Sequence, residues 1–196
     1  MFDLENKAFC LFGLPDSGKS TLANYILNRY GASAFVYDTL HEYPAEPFDS
    51  YRPNDQYGVP ELESIIRAAM NCGRYSLIVI DETNRFCPSK PVPLPQAVAD
   101  LNDWRAHYGI AAGYIARRPV QLNQDLTELS HYVILFKLDG KNDVQYLNDL
   151  YIGLGEAVFQ LPKYHFIVYT KGEGYQAYPP IPAKFATDKK FRGLTN

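Results

Sequence analysis

The stretch AFCLFGLPDSGKSTLANYILNRY, residues 8–30, decides the fold of this chain. Residues 8–12 are apolar without alternation, the pattern of a strand buried on both faces. Gly13 ends that run, and residues 13–20 match G-x-x-x-x-G-K-[ST], a loop that wraps phosphates. A helix is expected from Gly18 or Lys19 to Tyr30, with Gly31 as its stop. In this order, the backbone N–H groups of residues 14–19 and the positive end of the helix converge on an anion. Nucleotide contacts therefore fall to Gly13, Leu14, Pro15, Asp16, Ser17, Gly18, Lys19, Ser20 and Thr21. Lys19 is expected to bridge the outer phosphates, and the Ser20 hydroxyl to bind Mg²⁺. Asp16 is an acid in an anion loop. Side chains at such positions point outward, so it is expected to be solvated, with a contact to a neighbouring subunit as the second reading.

Downstream the pattern alternates between strand and helix. Strands are expected at 33–38, 76–82, 110–116 and 131–136, and helices over 59–73, 96–109 and 143–155. KYHFIVYT (163–170) alternates and is expected to pair with AVFQL (157–161) as a terminal hairpin. The segment SLIVIDE carries Asp81 and Glu82 to the C-terminal edge of a parallel sheet, where open α/β folds place their ligands. Asp81, 62 positions after Lys19, is the expected metal partner, and Glu82 the general base for an attacking water. The chain has no N-K-x-D segment for reading a guanine, which weakens a GTPase reading.

Bulk properties agree with one soluble α/β unit. The chain has 196 residues, 46% hydrophobic and 21% charged, and can bury a core without staples. We expect a single domain over 1–196, with its core at about 7–170 and an extended proline-rich tail at about 178–196. Three widely spaced cysteines argue against a disulfide framework and for a reducing compartment. Neither a secretory signal nor an apolar run of membrane-spanning length is evident. The net charge of −3 leaves any nucleic-acid contact to a local basic loop or an assembled ring. The four histidines lack ligand spacing, and the 16 Tyr and 11 Phe fall mostly at strand or helix positions, as packing residues.

Several segments, in order, resemble the HerA/FtsK-type ATPases. VYDTLHEY (36–43) resembles their second strand ending, VIDETNRF (79–86) their Walker B segment, and LSHYVILFKL (129–138) their fifth strand. WRAHYGIAAGYIARRP (104–119) resembles the segment in which a basic helix end precedes a strand, a polar sensor, Arg and Pro. The resemblance covers roughly residues 8–138, and YPPIP (178–182) also fits the family's tail. Within that family a chain of this length looks most like the genome-packaging ATPases of tailless icosahedral viruses with an internal membrane.

The resemblance implies a three-layer sandwich with a mainly parallel sheet in the order 5-1-4-3-2, the additional-strand catalytic-glutamate arrangement, plus a C-terminal hairpin. It implies ATP and Mg²⁺ as cofactors and a homo-oligomeric ring, pentamer or hexamer. That ring would drive double-stranded DNA into a preformed capsid, with a capsid vertex or internal membrane protein as partner, in the virion or host cytoplasm. The family's sensor glutamine is replaced by Arg117, which cannot accept a hydrogen bond, so the sensor role passes to a different chemistry. Candidates for an arginine acting on a neighbour's site are Arg85, Arg105, Arg117 and Arg118, of which Arg105 best matches the family's basic pair. The other reading of Arg105 is a helix-end cation that offsets the dipole. The loop 83–95, stiffened by four prolines, offers Arg85 and Lys90 as DNA contacts, or is an ordinary surface connection. Two further functions stay open: a nucleoside or nucleotide kinase, with 114–124 as a short lid, and a phage assembly or secretion ATPase.

Overall fold

The computed structural model describes residues 3–186. The phosphate-loop strand β1 (Ala8–Phe12) and helix α1 (Lys19–Tyr30) form as the sequence dictates. After them come β2 (Ala34–Tyr37), β3 (Asp49–Tyr51), α2 (Val59–Asn71), β4 (Leu77–Ile80), α3 (Gln96–Tyr108) and β5 (Ala111–Ala116). The chain then adds α4 (Gln124–Glu128), β6 (Tyr132–Phe136), α5 (Lys141–Leu150), α6 (Leu154–Phe159), β7 (Phe166–Thr170) and β8 (Gly174–Tyr178).

The eight strands join in the order β3-β2-β4-β5-β1-β6-β7-β8. The pairs from β3 across to β6 are parallel, and β6-β7 and β7-β8 are antiparallel. The sheet is thus mainly parallel, as expected. The five strands foreseen from sequence keep the relative order 5-1-4-3-2, but β3 adds an edge strand, so the full order differs. β3 is three residues long and half-exposed, with no apolar pattern to announce it. It forms because Phe35 and Tyr37 offer it an open edge and Arg74 holds Asp49 at 3.0 Å.

The expected partner of β7 is corrected. Residues 157–159 lie in α6, and the hairpin partner is β8, reached through the turn at 171–173. Leu154, Val158 and Leu161, spaced by four and three, are buried against the sheet, which fits helical and not strand periodicity. A five-residue apolar window does not distinguish the two periods.

Pleating sends alternate residues of each strand into separate cores. Ala8, Cys10 and Phe12 of β1 join a cluster with residues of α2 to α6, whereas Phe9 and Leu11 join one with α1, Tyr43 and Phe48. These two clusters make the three-layer sandwich. Gly113 of β5 faces Phe9 across the β1–β5 pairing, and a Cβ there would lie 2.4 Å from the ring. Gly113→Ala is therefore expected to destabilise the fold by about 1–3 kcal/mol through overpacking, read as a lowered melting temperature; an unchanged melt would refute it.

After β8 the chain runs back over α1, with a short 3-10 turn at Ala183–Phe185. The remainder of the expected tail, 187–196, lies outside the described residues.

Candidate functional site

The loop between β1 and α1 turns on two left-handed residues, Asp16 (φ 62°) and Gly18 (φ 109°). Gly18 is the residue type this backbone favours, and Asp is among the few others that adopt it readily. Asp16 is exposed, and its presence fits the backbone shape of the loop. The Ser17 N–H donates to Leu14 O at 3.2 Å, and the Leu22 N–H to Gly18 O at 3.0 Å, so the turn passes directly into α1.

Above the loop opens a cavity of about 740 Å³. Pro15 to Thr21 line it, together with His41 and Glu42 after β2, Gln56, Asp81 and Glu82 after β4, and Arg117 after β5. Gly13 and Leu14 contribute carbonyls instead: Lys19 Nζ donates to Gly13 O at 2.6 Å and to Leu14 O at 3.2 Å. Backbone links lock the strand ends that carry the acids. The Asp81 N–H donates to Tyr37 O at 3.1 Å, Thr39 Oγ1 to Asp81 O at 2.8 Å, and the Gly13 N–H to Arg117 O at 3.2 Å.

Four carboxylates gather on the β2–β4 side: Asp38, Glu42, Asp81 and Glu82, all buried. Asp38 is satisfied locally, accepting from the N–H groups of Glu42 (2.8 Å) and Tyr43 (3.1 Å), with Arg52 at 3.6 Å. Burial nonetheless raises its pKa, and these partners oppose the shift. Asp81 is pushed up to about 8, by burial first and then by Glu82, Asp38 and Glu42. Asp81 is thus the carboxylate whose charged form is disfavoured here, the condition a bound cation would relieve. Lys19 is shifted the opposite way, lowered by burial and held up by Asp81 and Glu82.

Glu82 has left-handed backbone (φ 49°), which swings its side chain out of the strand direction. Arg117 Nε lies 3.1 Å from its carboxylate and Arg85 Nε 3.7 Å. Ser20 Oγ donates to Glu42 Oε2 at 2.8 Å. Among the described residues no three His, Cys, Asp or Glu side chains form a metal cage. Two buried polar atoms at the cavity, Ser17 Oγ and His41 Nε2, have no protein partner, as expected where a ligand completes the hydrogen bonding.

The other sequence candidates sit elsewhere. Arg105, near the end of α3, lies at the N-terminal edge of the sheet, across from the cavity, bonded to Asn102 O and Leu129 O. Arg118 pairs with buried Asp143 at 2.7 Å. Arg85, only 15% exposed, is engaged with Glu82, Gln56 and the Tyr57 ring. Lys90 is on the surface, 2.7 Å from Asp125. The sequence reading misses Asp38 and Glu42 as site residues. Their signal is VYDTLHEY, an apolar strand delivering an acid to the same sheet edge as Asp81.

No protein-family model and no curated protein sequence matches the chain. Solved structures do. The DNA-packaging ATPase B204 of Sulfolobus turreted icosahedral virus superposes with a TM-score of 0.77 at 15% identity, covering 92% of this chain and 100% of that one. The genome-packaging NTPase B204 of Sulfolobus turreted icosahedral virus 2, in complex with ATP-gammaS, gives 0.76 at 16%, covering 90% and 98%. The fold is that of the P-loop NTPases. The N-terminal domain of zonular occludens toxin from Neisseria meningitidis shares this P-loop fold less closely, with a TM-score of 0.56 at 13% identity, covering 93% and 99%.

Proposed function

We propose that this chain is an ATP-hydrolysing motor that translocates double-stranded DNA, packaging a viral genome into a preformed capsid as a homo-oligomeric ring. One observation carries the hydrolytic part: β5 stands between β1 and β4, so Asp81 and Glu82 lie one strand away from the phosphate loop. That gap leaves room for a water between Glu82 and a terminal phosphate. Lys19 would exchange its loop carbonyls for phosphate oxygens, while Glu82 takes the proton of the attacking water. Ser20 and Asp81 are the residues that would hold Mg²⁺, with Glu42 fixing the Ser20 hydroxyl. The ion would supply charge neutralisation on the transferred phosphoryl group.

A kinase reading needs a mobile arginine lid at 114–124. That segment is instead folded in, with Arg117 on Glu82, Arg118 on Asp143 and Leu122 buried. The higher structural similarity to two packaging NTPases, with TM-scores of 0.77 and 0.76 against 0.56 for the zonular occludens toxin domain, supports the motor reading. No described helix is long and apolar enough to cross a membrane.

The deciding measurement is the ATPase rate with no acceptor other than water, with and without double-stranded DNA, across protein concentration. We expect turnover that rises with concentration as the ring assembles and rises further with DNA. An enzyme idle until a small acceptor is added would overturn the proposal. In the same assay, Lys90→Ala is expected to weaken DNA stimulation and to lower the salt slope of DNA binding by about one phosphate contact. An unchanged affinity and slope would remove Lys90 from the DNA path.

A further inference from the structure

We infer that the segment after β8 forms one wall of a slot for the base of the bound nucleoside triphosphate, so that the site reads a ring face and not a base edge. The inference rests on the nucleotide-binding reading above. In the sheet order, β4 and β6 lie on opposite sides of the β5–β1 pair, which gives the cavity two unlike ends. One end holds Asp81 and Glu82 after β4, where the terminal phosphate meets Lys19. The nucleoside must leave by the other end, over β6 and β7.

That end is lined by different chemistry. Phe136 closes β6, Tyr164 precedes β7, and Pro180, Ile181 and Ala183 come from the returning segment. The two aromatic rings border the loop itself, since a Cβ on Gly18 would lie 3.0 Å from Phe136 Cε1 and 3.6 Å from Tyr164 Cδ1. Tyr164 has left-handed backbone (φ 66°) and is about half exposed at the rim. A bulky residue seldom adopts that conformation without a reason, and here it presents the ring to the cavity mouth.

The returning segment is fastened where this role needs it. Asn24 Nδ2 on α1 donates to Phe185 O at 2.9 Å, and the Phe185 ring meets Tyr25 edge-on with centroids 4.9 Å apart. Ile181 packs against the core cluster that contains Phe136 and Phe166. The wall is therefore anchored on both sides of the cavity mouth. The side chains it contributes there, Pro180, Ile181 and Ala183, have no hydrogen-bonding groups. Apolar and aromatic surface binds any base through its π-face, more strongly the larger the ring, and does not tell adenine from guanine.

The test compares ATP, GTP, CTP and inorganic tripolyphosphate by calorimetry on the full chain, with Tyr164→Ala and Ile181→Asp. ATP and GTP are expected to bind wild type within about tenfold of each other and more tightly than CTP, as stacking on a sequence-tolerant face predicts. Each variant is expected to lose about tenfold in ATP affinity while tripolyphosphate binding stays unchanged. Unchanged ATP affinity in both variants, a parallel loss of ATP and tripolyphosphate, or a preference between ATP and GTP beyond about tenfold would overturn the slot. Failure of wild type to hold tripolyphosphate at all would instead bring down the phosphate-loop reading. Photolabelling of wild type with 8-azido-ATP does not depend on any variant folding: label on residue 164 or 180–186 supports the wall, and label confined elsewhere overturns it.

Discussion

Glu82→Gln is expected to leave ATP bound and to cut its hydrolysis by about 10²–10⁴-fold, the range for loss of a positioned general base. The substitution keeps the size of the side chain and removes its negative charge, and with it the capacity to take a proton. Binding should survive because the phosphate contacts come from the loop and Lys19, on the far side of β5 from Glu82. The carboxylate is also half of an ion pair, 3.1 Å from Arg117 Nε and 3.7 Å from Arg85 Nε. Loss of that charge frees two arginines beside the terminal phosphate, so the variant is expected to hold ATP at least as tightly as wild type. Single-turnover hydrolysis and an equilibrium ATP titration together check this. A variant that hydrolyses ATP at the wild-type rate would show that another group, such as Glu42 on the same cavity, activates the water.

The pair with Arg117 bears on how the site departs from the glutamine-bearing pattern it resembles. A glutamine at this position could both donate to a phosphate and accept from a water. Arg117 only donates, and in this structure it donates to the base itself. While that pair is intact, Glu82 is held in place by the guanidinium. Under the proposed motor reading, a γ-phosphate would offer Arg117 a competing anion and free the carboxylate for the water. The sensor role would then be kept with its logic inverted, the residue restraining the base instead of holding the water.

The parts of this molecule that were legible in the sequence are those whose signal is local and continuous. The run 8–12, the two glycines of the loop and the helix behind them each declare one element by residue type. Asp81 and Glu82 are legible because four apolar residues lead straight to them. The strand β3 is not, because Asp49–Tyr51 has no apolar face and pairs only when β2 presents an edge. Residues 157–159 mislead because AVFQL is too short a window to declare its period until Leu154 is added to the pattern. The site is half legible for the same reason. Asp38 directly follows β2, but Glu42 reaches the site through a bend closed on Asp38 and a hydrogen bond from the distant Ser20, and Tyr164 through a left-handed backbone that residue type alone does not announce.

Arg105→Ala is expected to lower hydrolysis by the assembled ring about 10³-fold or more, the scale of a lost in-trans arginine, while ATP binding to the chain is retained. Its position demands that the effect be intermolecular. Arg105 lies at the N-terminal edge of the sheet, bonded to carbonyls of Asn102 and Leu129, and does not line its own chain's cavity. The opposing interpretation is local: a cation at the last turn of α3 satisfies free carbonyls and offsets the dipole, typically by less than about 1 kcal/mol. Those two roles separate in a mixing experiment. Rings assembled from equal parts Arg105→Ala and Glu82→Gln chains contain junctions at which an intact Glu82 from one parent faces an intact Arg105 from the other. If the arginine acts across the junction, mixed rings recover a substantial fraction of wild-type hydrolysis although neither parent has it. If it acts as a helix-end cation, Arg105→Ala shows a lowered melting temperature and near-normal turnover, and mixing recovers nothing beyond its own contribution.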